Sequence, residues 1–247
     1  MSRLARGVAL VLLLCITLLV SAPARLLHLV LPAEQVQMQG FDGTVWRGSA
    51  SRCLVRAGPG YMHLGAVQWS LDPMSLLLLA PRLTFSSAWA GQTIAGDLVL
   101  RGRQDVQLRD FEAVLSADVL RQFIPVSLTG TLSAQLHHLQ VRAGLPYSGS
   151  GRLVWQEGGW NSARGALPLG SYALDFEQVP GEELLAEVLT LSGPVEAGGL
   201  VQLDGRKYTV DVLVSSDFSL DAELEQALSL VAVPGPQGYR VKLEGEF

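Results

Sequence analysis

The sequence predicts a mainly β protein: an N-terminal transmembrane helix followed by a curved antiparallel β-sheet domain with one or two short helices. Three observations predict it. An uncharged, largely apolar run fills residues 7–24. Beyond it, apolar and polar residues alternate with a period of two. Glycine- and proline-rich turn signals separate the alternating runs.

The N-terminal run follows Arg3 and Arg6 and extends from Gly7 to Ala24. About 18 helical residues at about 1.5 Å each span roughly 27 Å, close to the ~30 Å hydrocarbon core of a bilayer. The basic start favours a cytoplasmic N-terminus. The expected division is therefore a cytoplasmic tail (1–7), a transmembrane anchor (8–24) and a periplasmic β-rich domain (25–247). A cleaved signal peptide is the rival reading, since Ala22-Pro23-Ala24 has the small-x-small form of a cleavage site. The uncleaved anchor is preferred because Leu26 to Pro32 stays apolar, as suits a chain leaving a membrane surface. Both readings put the residues after Arg25 outside the cytoplasm. No later stretch is long enough to span: Pro81 stops Leu76–Ala80, and Glu187 interrupts Leu184–Leu191.

The period of two is clearest at Ile94, Gly96, Leu98 and Leu100; from Val126 through Leu128, Leu132 and Ala134 to Leu136; at Tyr208, Val210, Val212 and Val214; and at Tyr239, Val241 and Leu243. Such alternation is what a sheet with one buried face requires. Gly58-Pro59-Gly60, Gly144-Leu145-Pro146, Gly158-Gly159, Gly198-Gly199, Asp204-Gly205 and Pro234-Gly235-Pro236 read as turns. Among these, Asp204-Gly205 is the strongest tight-hairpin signal. Two segments read as short helices: Ser116–Phe123, capped by Ser116 and ended by Pro125, and Asp217–Leu230, with Ser219 as its cap. Met74–Leu79, after Pro73, fits one helical turn or a strand.

Composition excludes some functions. The net charge is −5, and Lys207 and Lys242 are the only lysines, so the clustered positive charge that nucleic acid demands is missing. Cys15 lies in the apolar run, which leaves Cys53 alone in the domain and gives no internal disulfide. His28 and His63 stand apart, and the adjacent His137 and His138 face opposite ways on a strand, so no metal site is expected. Gly149-Ser150-Gly151 reads as a flexible turn rather than a nucleophile elbow, and Glu182-Glu183 as a solvated turn. With no phosphate loop and no dinucleotide fingerprint, neither a cofactor nor catalysis is expected. Trp46, Trp69, Trp89, Trp155 and Trp160 fall in separate strand candidates. They read as sheet core, or alternatively as the lining of an apolar concave face for a lipid or an apolar partner segment.

One stretch is more specific. Leu31-Pro32 leads to Gly43-Thr44-Val45-Trp46-Arg47-Gly48-Ser49-Ala50, and Trp69-Ser70-Leu71-Asp72-Pro73-Met74-Ser75-Leu76 follows. Together with the short N-terminal anchor, these motifs resemble the type II secretion system protein N family. The chain departs from the pattern at Ala80-Pro81, where a glycine is expected. The residues that carry the resemblance are Gly43, Thr44, Trp46, Gly48, Trp69, Leu71 and Pro73. Read physically, Gly43 permits a backbone geometry that other residues resist, Trp46 anchors a bent strand, and Gly48 and Ala50 leave space on one face.

The resemblance implies an accessory inner-membrane component of the type II secretion apparatus, with its periplasmic domain binding other components of the machine. It implies scaffolding through strand edges or an apolar face, without turnover. The second reading is a periplasmic lipid-binding or lipid-transfer protein with an apolar sheet groove. A third, an outer-membrane β-barrel, rests on the aromatic-ended alternation from Tyr239 to Phe247.

Overall fold

The computed structural model describes residues 3–32, 34–57, 60–102, 104–122, 127–162, 165–216, 222–229, 232–236 and 238–246. The chain divides into two compact units, Met1–Trp89 and Ala90–Phe247.

The first unit begins with helix α1 (Arg3–Val20). Its polar residues satisfy themselves on the helix backbone: Thr17 Oγ1 donates to Leu13 O at 2.9 Å, and Ser21 Oγ to Thr17 O at 2.6 Å. From Leu10 to Val20 its side chains are exposed. Counted over the described residues alone, no helix is long and apolar enough to cross a membrane. A 3-10 turn (Ala24–Leu26) and a single helical turn, α2 (Leu27–Val30), follow. Four strands then form an antiparallel meander: β1 (Val36–Gly43), β2 (Arg47–Ala57), β3 (Gly60–Leu71) and β4 (Arg82–Trp89). Between β3 and β4 lies α3 (Pro73–Leu77). Met74–Leu79 is thus helical at its start rather than a strand, because Pro73 stands at a first-turn position and the Asp72 carboxylate accepts from Met74 N at 3.0 Å. The buried centre is Ala24, Ala50 and Trp69, with Leu27, Met38, Phe41 and Leu83 packed around it.

The second unit is almost entirely strand: β5 (Gln92–Leu100), β6 (Asp105–Ser116), β7 (Leu128–Arg142), β8 (Leu145–Ser162), β9 (Gly165–Gln178), β10 (Leu184–Ser192), β11 (Val195–Asp204), β12 (Lys207–Ser216), β13 (Ala232–Gly235) and β14 (Gly238–Glu246). The order is sequential up to β12, which pairs with β14; the short β13 lies outermost. A 3-10 helix (Ala117–Gln122) follows β6, and helix α4 (Ala222–Ser229) precedes β13. Pro234 sits in this edge strand, where a missing ladder donor is tolerated.

The turns expected at Gly144 and at Asp204-Gly205 form, whereas Pro234-Gly235 lies in β13. Asp204 pairs with Lys207, so Gly205-Arg206 is the two-residue turn of the β11–β12 hairpin. Others are corrected. Gly158-Gly159 and Gly149-Ser150-Gly151 lie inside β8, and Gly198-Gly199 inside β11. Gly158 and Gly159 mark a bulge where the β8–β9 register shifts. A Cβ at Gly158 would stand 2.7 Å from the Trp155 ring and 2.8 Å from Gly170 O, so close approach, not chain reversal, requires glycine there.

The tryptophans are redistributed too. Trp46 lies in the bend between β1 and β2, and Trp155 and Trp160 share β8. Five residues apart, the last two belong on opposite faces of a regular strand; the intervening bulge brings both into one cluster. The helix expected from Ser116 is a 3-10 helix from Ala117, with Asp118 N donating to Ser116 Oγ at 3.3 Å. Phe123, Pro125, Val126, Gly58, Pro59, Ser219 and Phe247 lie outside the described residues.

Candidate functional site

The seven residues of the sequence motif meet in one joint of the first unit. Gly43 ends β1 at φ 81°, and a Cβ there would stand 2.6 Å from Arg47 O. Thr44 N donates to Arg47 O at 2.8 Å, and Thr44 also forms an isolated bridge with Pro23. Trp46 Nε1 donates to Leu19 O of α1 at 2.8 Å, while Val45 N donates to Ala22 O at 2.9 Å. Trp69 Nε1 donates to Val45 O at 3.1 Å, and Leu71 N to Trp46 O at 2.7 Å. Gly48 lies under Trp69, so that a Cβ would come within 2.6 Å of the indole ring. Pro73 opens α3 two residues after Leu71. The motif therefore ties the last turn of α1, a helix-free bend and the β3–α3 corner into one hydrogen-bonded joint.

The second unit carries the larger surface. Residues directly opposite in an antiparallel ladder share a face. Following the registers from β5 to β13, one row reads Ile94, Ala113, Ala134, Leu153, Leu174, Val188, Gly199, Val212, Val241 and Ala232. A parallel row on the same face reads Phe111, Leu136, Gly151, Phe176, Ala186, Val201, Val210 and Leu243. Between them, on the opposite face, lie Glu112, Gln135, Arg152, Asp175, Glu187, Leu200, Asp211 and Lys242. Both rows of the first face are thus apolar, while the row between them on the other face is mostly charged, flanked by a second row of Val114, Ser133, Val154, Ala173 and Leu189. This other face is laced by Arg152–Asp175 and Arg240–Asp211 pairs, at 2.5 and 2.7 Å. In each pair the guanidinium holds the carboxyl below its ordinary range through a hydrogen bond.

The apolar face is not fully covered: Leu153 keeps 40% of its surface exposed and Leu243 41%. Over β6 to β10 it dips into a groove of about 350 Å³, rimmed by Leu120 of the 3-10 helix and floored by Leu132, Ala134, Leu153, Trp155 and Leu174. Trp155 and Tyr172 line this groove and, with Trp160, pack on Leu169 and Val195. Their polar atoms are directed away from the groove into the backbone: Trp155 Nε1 donates to Thr129 O at 2.9 Å, and the Tyr172 hydroxyl lies 3.0 Å from Leu169 O and 2.8 Å from Val195 O. Burial pushes the Tyr172 phenol up to about 12, so it stays neutral. Trp160 Nε1, buried in the same cluster, has no acceptor among the described residues.

His138 Nδ1 lies 3.2 Å from Ser150 Oγ, while His137 is exposed. Among the described residues no three His, Cys, Asp or Glu side chains come together where they could share a metal ion. Cys15 and Cys53 are free thiols, and burial raises Cys53 above its ordinary range.

A family model described as type II secretion system (T2SS), protein N, matches residues 34–242. The chain belongs to the type II secretion system protein N family. It is 29% identical over 230 residues to the type II secretion system protein N of Aeromonas hydrophila, covering 90% of this chain and 89% of the relative. The protein of the same name from Vibrio cholerae is 26% identical over 246 residues, covering 94% and 93%. That from Pectobacterium carotovorum is 28% identical over 256 residues, covering 97% and 95%. No solved structure matches the chain. The matched span contains both the joint at Gly43–Pro73 and nearly all of the apolar face, so this protein N fold carries both features.

Sequence reasoning found the joint by its unusual residues and raised an apolar sheet groove as an alternative, without placing the strands that form it. The signal was present in part: Ile94, Leu132, Ala134, Leu136, Val210, Val212, Val241 and Leu243, each read as one side of its own run, all lie on the apolar face. What the runs lacked was register between strands.

Proposed function

We propose that this chain is an accessory component of the type II secretion system that acts by binding, held at the inner membrane by residues 8–24, with residues 1–7 in the cytoplasm and residues 25–247 in the periplasm. Family membership supports the role in secretion. The uncharged run from Gly7 to Ala24, behind Arg3 and Arg6, supports the anchor and its orientation. The observation that carries the binding role is the partly exposed apolar face of the second unit, which runs through all ten of its described strands. An apolar sheet face of that extent in a secreted domain is a contact surface for another molecule. The occupant in this reading is an apolar strand or segment of a neighbouring secretion component.

A photo-crosslinking residue at position 153, in the full chain expressed in its own envelope, tests this. The expected product is an adduct with another component of the secretion machine, identified by mass spectrometry. Adducts at position 152, on the opposite face, but none at 153 would count against the apolar face.

A specific observation favours a second reading. The groove beside Trp155 and Leu153 is lined by apolar side chains, and the polar atoms of Trp155 and Tyr172 that border it are already satisfied by backbone carbonyls. An acyl chain, which needs no polar partner, suits that arrangement. Phospholipid, rather than protein, crosslinked at position 153 is the outcome that would select lipid handling.

A further inference from the structure

Among the described residues, the loop between β3 and β4 carries the three most exposed large apolar side chains. Leu77, Leu78 and Leu79 are consecutive and 75%, 79% and 85% exposed, and Met74 is 65% exposed. From Pro73 to Pro81 the chain carries no charge. The loop is built, not slack. Asp72 N donates to Arg82 O at 3.0 Å; Ser75 Oγ donates to Asp72 O at 2.5 Å and accepts from Arg82 N at 2.8 Å. Leu79 N donates to Leu76 O at 3.0 Å and Ala80 N to Ser75 O at 3.1 Å. Met74 and Leu77–Leu79 are exposed while the N–H groups of Met74, Ser75, Leu79 and Ala80 bond within the loop, which suits irregular backbone placed against hydrocarbon.

The position of the loop indicates what it meets. Leu71 N is bonded to Trp46 O, and the Trp46 indole is bonded to Leu19 O in the last turn of α1. One tryptophan and two hydrogen bonds therefore separate the base of the loop from the end of the helix. Arg25, Arg47 and Arg82, all exposed, arise from that same joint. Arginine and tryptophan around an apolar tip are the composition of a membrane–water boundary.

We propose that the Asp72–Arg82 loop is a second membrane contact: Met74 and Leu77–Leu79 enter the periplasmic leaflet of the bilayer that α1 crosses, with Trp46 and the three arginines at the headgroups. This rests on the reading of α1 as an anchor. The two contacts together fix the orientation of the first unit relative to the membrane, which a single flexible tether would not do.

The test uses the full chain carrying Cys15→Ser and Cys53→Ala, reconstituted in vesicles of phosphatidylethanolamine and phosphatidylglycerol. The fluorophore NBD is attached at one introduced cysteine at a time: Leu78→Cys in the tip, Leu77→Cys as a second tip position, Leu12→Cys in α1 and Ser86→Cys on β4. Labels at 77 and 78 are expected to emit as in apolar surroundings and to lose most of their emission when lipids carry a nitroxide just below the headgroups. The label at 86 should be unaffected. Water-like, unquenched labels at both tip positions, with position 12 quenched by a nitroxide at the bilayer centre, would overturn this inference and leave the anchor intact. An unquenched label at position 12 overturns the anchor instead, and quenching at 78 in that case still supports the loop as a membrane contact. Tip labels that ignore nitroxide lipid and become shielded only when another secretion component is added would overturn the inference in favour of a protein partner.

Discussion

The indole N–H of Trp46 donates to the backbone carbonyl of Leu19 at 2.8 Å, across 27 residues of chain. Leu19 sits in the final turn of α1, and its carbonyl also accepts from Ala22 N at 3.3 Å. The indole is thus the shorter of two donors to this helix-end carbonyl, and it fixes the direction in which the helix leaves the sheet. Trp46→Phe retains the ring but removes the donor, so a loss of about 1 kcal/mol is expected. Denaturant unfolding of the full chain in detergent, followed by circular dichroism, would measure it; an unchanged midpoint would show that water serves the carbonyl equally well.

Gly48→Ala tests the packing of the same joint. The added methyl would meet the Trp69 ring at 2.6 Å and the carbonyls of Asp42 and Thr44 at 2.7 Å. Overpacking of this kind costs about 1–3 kcal/mol. Trp69 is only 7% exposed and cannot swing into solvent without emptying the core around Ala24 and Ala50. The same unfolding assay should place Gly48→Ala below wild type, and pairing it with Trp69→Phe should recover little, because the backbone clashes persist.

On the apolar face, Leu153→Asp separates binding from stability. Leu153 is 40% exposed, so the substitution should change folding stability by no more than about 1 kcal/mol. It should nevertheless weaken crosslinking at neighbouring groove positions and reduce secretion of cargo. Leu136→Asp, on the same face but 9% exposed, is the contrast: it should unfold the second unit through an unpaired buried carboxylate. Equal secretion by wild type and the Leu153 variant would remove the groove from the function.

Tyr172 gives a pH signature at the alkaline end. Its phenol is raised to about 12 by burial, against about 10 in an unfolded chain. A raised folded value means that the contribution is present in full below the unfolded value and is lost as pH climbs through the folded one. Wild type should therefore lose more thermal stability than Tyr172→Phe between about pH 9 and pH 12. One of the five tyrosines should also resist ionisation in an absorbance titration until near the top of that range.

At the acid end, Asp175 and Asp211 are held below the ordinary carboxylate range by Arg152 and Arg240. A depressed folded value gives stability that is present above about pH 4 and lost as pH falls through the folded value. Both pairs are solvent-exposed, so the effect is small and is screened by salt. Asp175→Asn should melt slightly below wild type at neutral pH in dilute buffer and match it in strong acid or high salt. A gap that survives in strong salt would point to lost hydrogen-bond geometry rather than charge.

The sequence alone determined the mainly β, antiparallel class, the strand content, the Asp204-Gly205 hairpin and the family-like residues around Trp46, because each depends on neighbours in the chain. Alternation is a local property, as are a proline at the start of a helical turn and a hairpin dipeptide. It could not decide that Gly158-Gly159 is a bulge rather than a turn, or that Trp155 and Trp160 share a cluster, since both depend on which residues of β7 and β9 lie alongside. Nor could it show that ten separately amphipathic runs pair in the one register that assembles a continuous apolar face, or that Trp46 reaches back to Leu19. Those outcomes follow from hydrogen bonds and close approaches between residues distant in sequence, and only the folded chain brings those groups together.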